Sequence, residues 1–267
     1  MNLSLEGNRY IVTGASKGLG KALTLGLLLE GAMVTACARN ASGLRDAFSN
    51  HALYEKRLFT CAADVGKEDE VGQCVDYAAR MMGGVDGIIN NAGGVEKFGG
   101  LFDLNISDWI NTFTVNVMGL AHFSKAGREH LTRSPSPRII NIASVTGLQP
   151  GIFNPHYSAS KAAAINLAKH LANIFAGDGI LVNTVVAGTF ESPAWERNVQ
   201  RVSREKNITI EDAASEEGRL AANSIPLGRI GTADDIVPLV IFLASSRSSW
   251  ITGATFTIDG GKMRCIH

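Results

Sequence analysis

Short apolar runs alternate along the chain with longer stretches whose apolar positions recur every three to four residues. The runs predict strands at Tyr10–Thr13, Met33–Ala38, Leu58–Ala62, Gly87–Asn90, Arg138–Ala143, Leu181–Val186 and Thr255–Asp259. Their cores are apolar at successive positions, as in strands covered on both faces. The longer stretches predict helices over Leu19–Glu30, Leu44–His51, Glu68–Met82, Ser107–Thr132, Ala159–Phe175 and Ala233–Ala244. Ser107 is placed to cap the fourth, and Gly177 and Gly179 to stop the fifth. Each connection between strands is long enough for a right-handed crossover. The pattern therefore predicts an α/β, doubly wound fold with a seven-stranded, mostly parallel sheet. No repeat, low-complexity tract or linker divides residues 1–267, so a single domain is expected.

One segment breaks the rhythm. Thr189–Pro226 carries polar, charged stretches and no strand pattern. It follows the carboxyl end of a strand, where open α/β sheets bind ligands. An excursion that long is usually functional, and it reads as a substrate lid of short helices at about 189–226. The competing reading is a solvated surface insertion.

Composition narrows the class. With 45% hydrophobic and 19% charged residues the chain has the make-up of a folded globular protein. Its 25 basic residues balance 25 acidic ones, whereas nucleic acid or an anionic membrane calls for a basic excess. Cys37, Cys61, Cys74 and Cys265 show no metal-ligand spacing and neither do the histidines, so reduced thiols, a cytoplasmic location and no metal are expected. The opening residues lack a basic stretch followed by an apolar one, and no apolar run approaches the ~18 residues of a membrane span. The compositional excess is in glycine, 29 residues, and the motifs account for part of it.

Thr13-Gly14-Ala15-Ser16-Lys17-Gly18-Leu19-Gly20 follows the first strand and runs into a helix. Glycines let a backbone approach a pyrophosphate, and a helix N-terminus favours its charge. The spacing is Gly-x-x-x-Gly-x-Gly rather than Gly-x-Gly-x-x-Gly. At the end of the second strand, Cys37-Ala38-Arg39-Asn40 offers no carboxylate to grip a ribose 2′-hydroxyl. Arg39, aided by Lys17, is instead placed to meet a 2′-phosphate, which points to NADP(H). Asp64-Val65 after the third strand could hold an adenine edge. Asn91-Ala92-Gly93 after the fourth permits close approach to the cofactor, although Asn and Gly are also ordinary turn residues.

Tyr157 and Lys161 stand four apart, on one face of a helix. A phenol is a poor acid–base catalyst near neutral pH, and a neighbouring ammonium is expected to lower it. Ser144 lies just past the fifth strand, at the edge that carries the glycine turn, where its hydroxyl can hold a substrate oxygen. Asn116 is a polar residue inside an otherwise apolar helix.

Taken with the final Asp259-Gly260-Gly261, these motifs resemble those of short-chain dehydrogenases/reductases over about residues 5–261, particularly 3-oxoacyl carrier-protein reductase-like and tropinone reductase-like members. The resemblance implies a Rossmann fold and a tetrad. Tyr157 would be the acid/base, Ser144 would orient the substrate oxygen, Lys161 would bind the nicotinamide ribose, and Asn116 would support a proton relay. It also implies cofactor contacts from Gly188 and Thr189, in a turn where the family's usual Pro-Gly is replaced by Ala187-Gly188. The expected reaction interconverts a ketone and a secondary alcohol with NADP(H). Alternatives are an NAD-dependent alcohol, hydroxysteroid or diol dehydrogenase, or a non-catalytic NADP(H) sensor. Val145–Ile152, Phe153, the Gly94–Phe98 turn, Phe190 and Trp195 would wall a mostly apolar site, which suggests a hydrophobic or aromatic ketone or alcohol as the small-molecule substrate. His156 reads as a surface residue, and Trp109 and Trp250 as core packing. Phe113, Val117, Leu120, Ile165 and Leu167 exceed what one sheet face covers, and the resemblance implies a homotetramer or dimer.

Overall fold

The computed structural model describes residue 3, residues 5–49 and residues 56–264. The strands are β1 (Arg9–Thr13), β2 (Met33–Ala38), β3 (Leu58–Ala62), β4 (Gly87–Asn90), β5 (Arg138–Ser144), β6 (Leu181–Ala187) and β7 (Thr255–Ile258). They form one sheet in the order β3-β2-β1-β4-β5-β6-β7. Every neighbouring pair is parallel. The helices are α1 (Gly18–Leu29), α2 (Ala41–Phe48), α3 (Glu68–Met82), α4 (Ile106–Phe113), α5 (Gly119–Leu131), α6 (Pro155–Phe175), α7 (Pro193–Lys206), α8 (Ile210–Asn223) and α9 (Ala233–Ala244). This is the expected doubly wound Rossmann fold.

The continuous apolar strands have cover on both sides. On one face Leu23 and Leu27 of α1 and Val240 of α9 pack on Val12 and Val34. On the other, Val75 of α3 and Phe123 of α5 pack on Ile11, Ile88 and Ile139. Strand order reverses between β1 and β4, so the connections leaving their carboxyl ends diverge and open a crevice.

Several boundaries depart from expectation for local chemical reasons. α2 starts at Ala41 because Asn40 caps it, accepting from Ser42 N at 2.9 Å; His51, the expected end, lies outside the described residues. Asn105, not Ser107, caps α4: it accepts from Asp108 N at 3.0 Å while Asp108 accepts from Asn105 N at 2.9 Å. The long fourth helix is interrupted by a π turn at Thr114–Met118, which contains Asn116. α6 begins at Pro155 rather than Ala159, since proline fits the first helical position. The 189–226 excursion holds two 14-residue helices, α7 and α8, longer than the short helices expected.

Candidate active site

The crevice is built around the first glycine turn. Thr13 Oγ1 accepts from Asn91 N and Ala92 N at 3.0 and 2.9 Å, and Asn91 Nδ2 donates to Thr13 O at 2.9 Å. These bonds stitch the ends of β1 and β4 together. Gly14 has φ +66°, and a Cβ there would stand 2.9 Å from Ala92 Cα, so both conformation and space require glycine. Ser16, Lys17, Gly18, Leu19 and Gly20 line a cleft of about 570 Å³ beside it. Arg39, Asp64, Val65, Ala92 and Gly93 line the same cleft, as do Asn91, Tyr157 and Lys161. The sequence assigned all of these to the cofactor.

Three details differ in kind from the assignment. The Asn91 amide nitrogen donates to Thr13 O and, at 3.4 Å, to Gly14 O, so it braces the glycine turn itself. Asp64 Oδ1 accepts from Gly66 N at 2.9 Å, closing its own turn. Gly188 and Thr189 line the neighbouring cavity instead; Gly188 N donates to Ile258 O at 2.8 Å, and Lys262 Nζ donates to Thr189 Oγ1 at 2.7 Å. β7 thus holds the turn that lacks proline. Arg39 is exposed and lies 3.4 Å from exposed Glu96, a weak pair that a phosphate can displace.

At the far end of the cleft the tetrad candidates converge. Lys161 is 4% exposed, its ammonium 5.8 Å from the centre of the Tyr157 ring, and it donates to Ile142 O at 3.0 Å. Burial pushes Lys161 down to about 8. The expected lowering of Tyr157 by Lys161 is not what this arrangement gives. Burial raises the phenol above its ordinary value, opposed by its hydrogen bond with Ser144. Lys161, held down at about 8, has shed its proton before a phenol raised above 10 ionises, so it brings no charge to offset that burial.

Asn116 faces inward from the π turn. Its Oδ1 accepts from Gly94 N at 2.8 Å, and its Nδ2 donates to Gly94 O at 3.0 Å and to Ser160 Oγ at 2.8 Å. Both its N–H groups and one lone pair of its oxygen are engaged in clamping the loop after β4. A Cβ on Gly93 would stand 2.8 Å from Asn116 Oδ1 and 2.9 Å from Lys161 Nζ.

Beyond Tyr157 lies a second cavity of about 280 Å³. Phe98, Phe153, Phe190 and Trp195 line it with Ser144, as the sequence led one to expect. The stretch Val145–Ile152 does not: Val145 is buried against Ala143 and Val186, and Ile152 is fully exposed. Sequence reasoning missed Asn154 and Asn198, which also line this cavity. Ser192 caps α7, accepting from Trp195 N at 3.1 Å, and Pro193 lies over Gly18, where a Cβ would meet its Cδ at 2.7 Å. The start of α7 therefore sits directly on the glycine turn. Phe190, Ser192, Ala194 and Tyr157 line both cavities.

Three further readings are corrected. His156 is fully buried, its ring 6.0 Å from that of Trp109, because α4 packs over the start of α6. Trp250 is 98% exposed, since it lies in the turn before β7 rather than under a helix. Leu120 is buried within the chain rather than left over for a partner.

Residues 8–203 match the sequence model of the short chain dehydrogenase family. The chain belongs to the short-chain dehydrogenases/reductases. It is 30% identical over 259 residues to a 3-oxoacyl-[acyl-carrier-protein] reductase of Thermotoga maritima, covering 97% of this chain and 99% of the relative. With gluconate 5-dehydrogenase of Gluconobacter oxydans it shares 32% identity over 260 residues, 97% of this chain and 95% of the other. Among solved structures it is similar to L-sorbose reductase of Gluconobacter frateurii, complexed with NADPH and L-sorbose. The TM-score is 0.92 at 25% identity, with 100% of both chains covered. Short-chain dehydrogenases/reductases are oxidoreductases that use nicotinamide cofactors, and the glycine-lined cleft has the form such a dinucleotide needs.

Proposed function

We propose that this short-chain dehydrogenase/reductase interconverts a ketone and a secondary alcohol using NADP(H). The observation that carries the reading is that Tyr157 lines both cavities, with Ser144 on the substrate side and Lys161 on the cofactor side. A reacting carbon held at that junction meets both a cofactor and a proton donor.

The cleft fits the phosphorylated dinucleotide. The α1 N-terminus and glycine turn would take the pyrophosphate, and Lys161 the ribose near the reacting end. The end of β2 presents Arg39 and no carboxylate, which favours a 2′-phosphate over a free 2′-hydroxyl. The NADPH bound to the similar sorbose reductase supports the same choice. When bound, the reduced nicotinamide supplies the hydride and leaves oxidised. The chain supplies the rest: Ser144 holds the substrate oxygen, and the Tyr157 hydroxyl gives that oxygen its proton. In the reverse direction Tyr157 takes the proton back.

Raising the phenol by burial suits reduction, because the group stays protonated and ready to donate. General acid help of this kind is worth about 10²–10⁴-fold. Tyr157→Phe should therefore lower kcat with NADPH and a ketone by that range while NADPH still binds, as fluorescence titration would show. Near-native turnover would refute the assignment. Exposed Ile106, Ile110 and Trp250 support self-association into a dimer or homotetramer, which analytical ultracentrifugation tests.

A further inference from the structure

The cavity beyond Tyr157 combines apolar walls with uncharged polar groups. Since a cavity of ~150 Å³ holds benzene, about 280 Å³ accommodates roughly eleven or twelve non-hydrogen atoms. No residue lining it carries a charge. Beside Tyr157, four aromatic side chains give it flat apolar walls, but two amides interrupt them.

Asn198, from α7, is held in one orientation. Its Nδ2 donates to Glu217 Oε2 of α8 at 2.9 Å, and its Oδ1 accepts from Arg201 Nη2 at 2.9 Å. Arg201 is itself stacked over the Phe153 ring, 5.3 Å from its centre. An amide has two N–H groups and two oxygen lone pairs. Asn198 thus keeps one N–H and one lone pair without a partner among the described residues. Asn154 stands at the head of α6 with φ +53°, and its Oδ1 accepts from Gly99 N at 3.0 Å. Its Nδ2 has no partner among the described residues.

A purely apolar ketone filling this space would strip water from both amides and return no hydrogen bond. A charged one would meet no opposite charge on the lining. The occupant that satisfies the cavity is uncharged and carries hydroxyls at places other than its reacting oxygen, with a carbon skeleton to lie against the rings. We propose that the substrate is a small neutral polyhydroxylated ketone, its product the corresponding polyol, and that Asn198 and Asn154 determine this specificity. The inference rests on the ketone–alcohol reading above and names the substrate class for it.

The test is kcat/KM with NADPH for a panel of five- and six-carbon ketoses, for 4-phenyl-2-butanone of equal size, and for the carboxylated ketose 5-ketogluconate. The best neutral ketose should exceed both of the others. Asn198→Leu should lower the ratio of ketose to aryl ketone by about ten- to hundredfold, the loss of one or two hydrogen bonds, and Asn198→Ser should restore part of it. If Asn198→Leu fails to fold, Asn154→Gly reads the same ratio, because glycine adopts the left-handed backbone freely. Preference for the aryl ketone or the carboxylate, or a ratio that Asn198→Leu leaves unmoved, overturns the inference while the ketone–alcohol reading stands. If nothing is turned over, calorimetry of the protein with NADP⁺ and sorbitol separates the two. Polyol binding that Asn198→Leu weakens supports the cavity assignment and overturns the redox reading; no binding overturns the inference.

Discussion

Adding one methyl at Gly93 tests the packing that places the candidate acid–base groups. Gly93 lies outside the left-handed region, so alanine costs nothing in backbone conformation there. Its Cβ would stand 2.8 Å from Asn116 Oδ1 and 2.9 Å from Lys161 Nζ, so both neighbours must retreat by roughly half an ångström. Asn116 resists through bonds to Gly94 N, Gly94 O and Ser160 Oγ. Lys161 is buried and tied to Ile142 O. Overpacking of this sort costs about 1–3 kcal/mol, which for a chain of this size lowers Tm by roughly 2–10 °C. A misplacement near 1 Å costs about 10² in rate, so kcat of Gly93→Ala should fall by about ten- to hundredfold. The assay is steady-state NADPH oxidation beside a thermal melt. Gly72→Ala is the control: it lies within α3 with nothing within 4 Å of its added Cβ, and should keep kcat while gaining about 0.5–1 kcal/mol. Gly93→Ala with full kcat and an unmoved melt would refute the proposed contact between the loop, the π turn and Lys161.

Lys161→Met should melt higher than the parent near pH 7, because the fold holds Lys161 down at about 8 against an ordinary 10.5. Between those values the unfolded chain still binds the proton that the folded chain has shed, so the parent gains stability as pH rises. The gap should close toward pH 10.5, and a pH-independent gap would contradict the burial argument. Ser144→Ala removes the hydrogen bond that lowers Tyr157. The alkaline rise of kcat for alcohol oxidation should move to higher pH, and an unshifted profile would separate the two residues. Arg39→Ala should weaken NADPH by about ten- to hundredfold, the value of a charge-assisted hydrogen bond, and leave NADH within about twofold. Fluorescence titration of both dinucleotides decides it.

The sheet was legible because strands covered on both faces read as unbroken apolar runs, and Ile11, Ile88 and Ile139 are buried as that pattern requires. The lining of the first cleft was legible because Gly14 and Gly20 leave a local mark: glycine where nothing larger fits. The cues lost were those with two meanings. Pro155 looks like a turn residue yet opens α6, and Asn105 and Ser107 both resemble caps, with only Asn105 exchanging bonds with Asp108. The π turn has no marker of its own beyond a polar Asn116 among apolar neighbours. Asn154 and Asn198 were invisible because their relation to Tyr157 is made by folding, one from the loop before α6 and the other from a helix beyond β6. His156 and Trp250 were misjudged for the same reason. Their burial depends on whether another element crosses them, and no local pattern records that.

The start of α7 has a bearing on how such an enzyme can diversify. Phe190, Ser192 and Ala194 wall both cavities, so under the proposed assignment an exchange there that admits a new substrate also alters the grip on the nucleotide. Phe98, Phe153 and Asn198 face only the second cavity. Selection for novel chemistry can act on those three without a penalty in cofactor affinity, which makes them the natural targets of a redesign library.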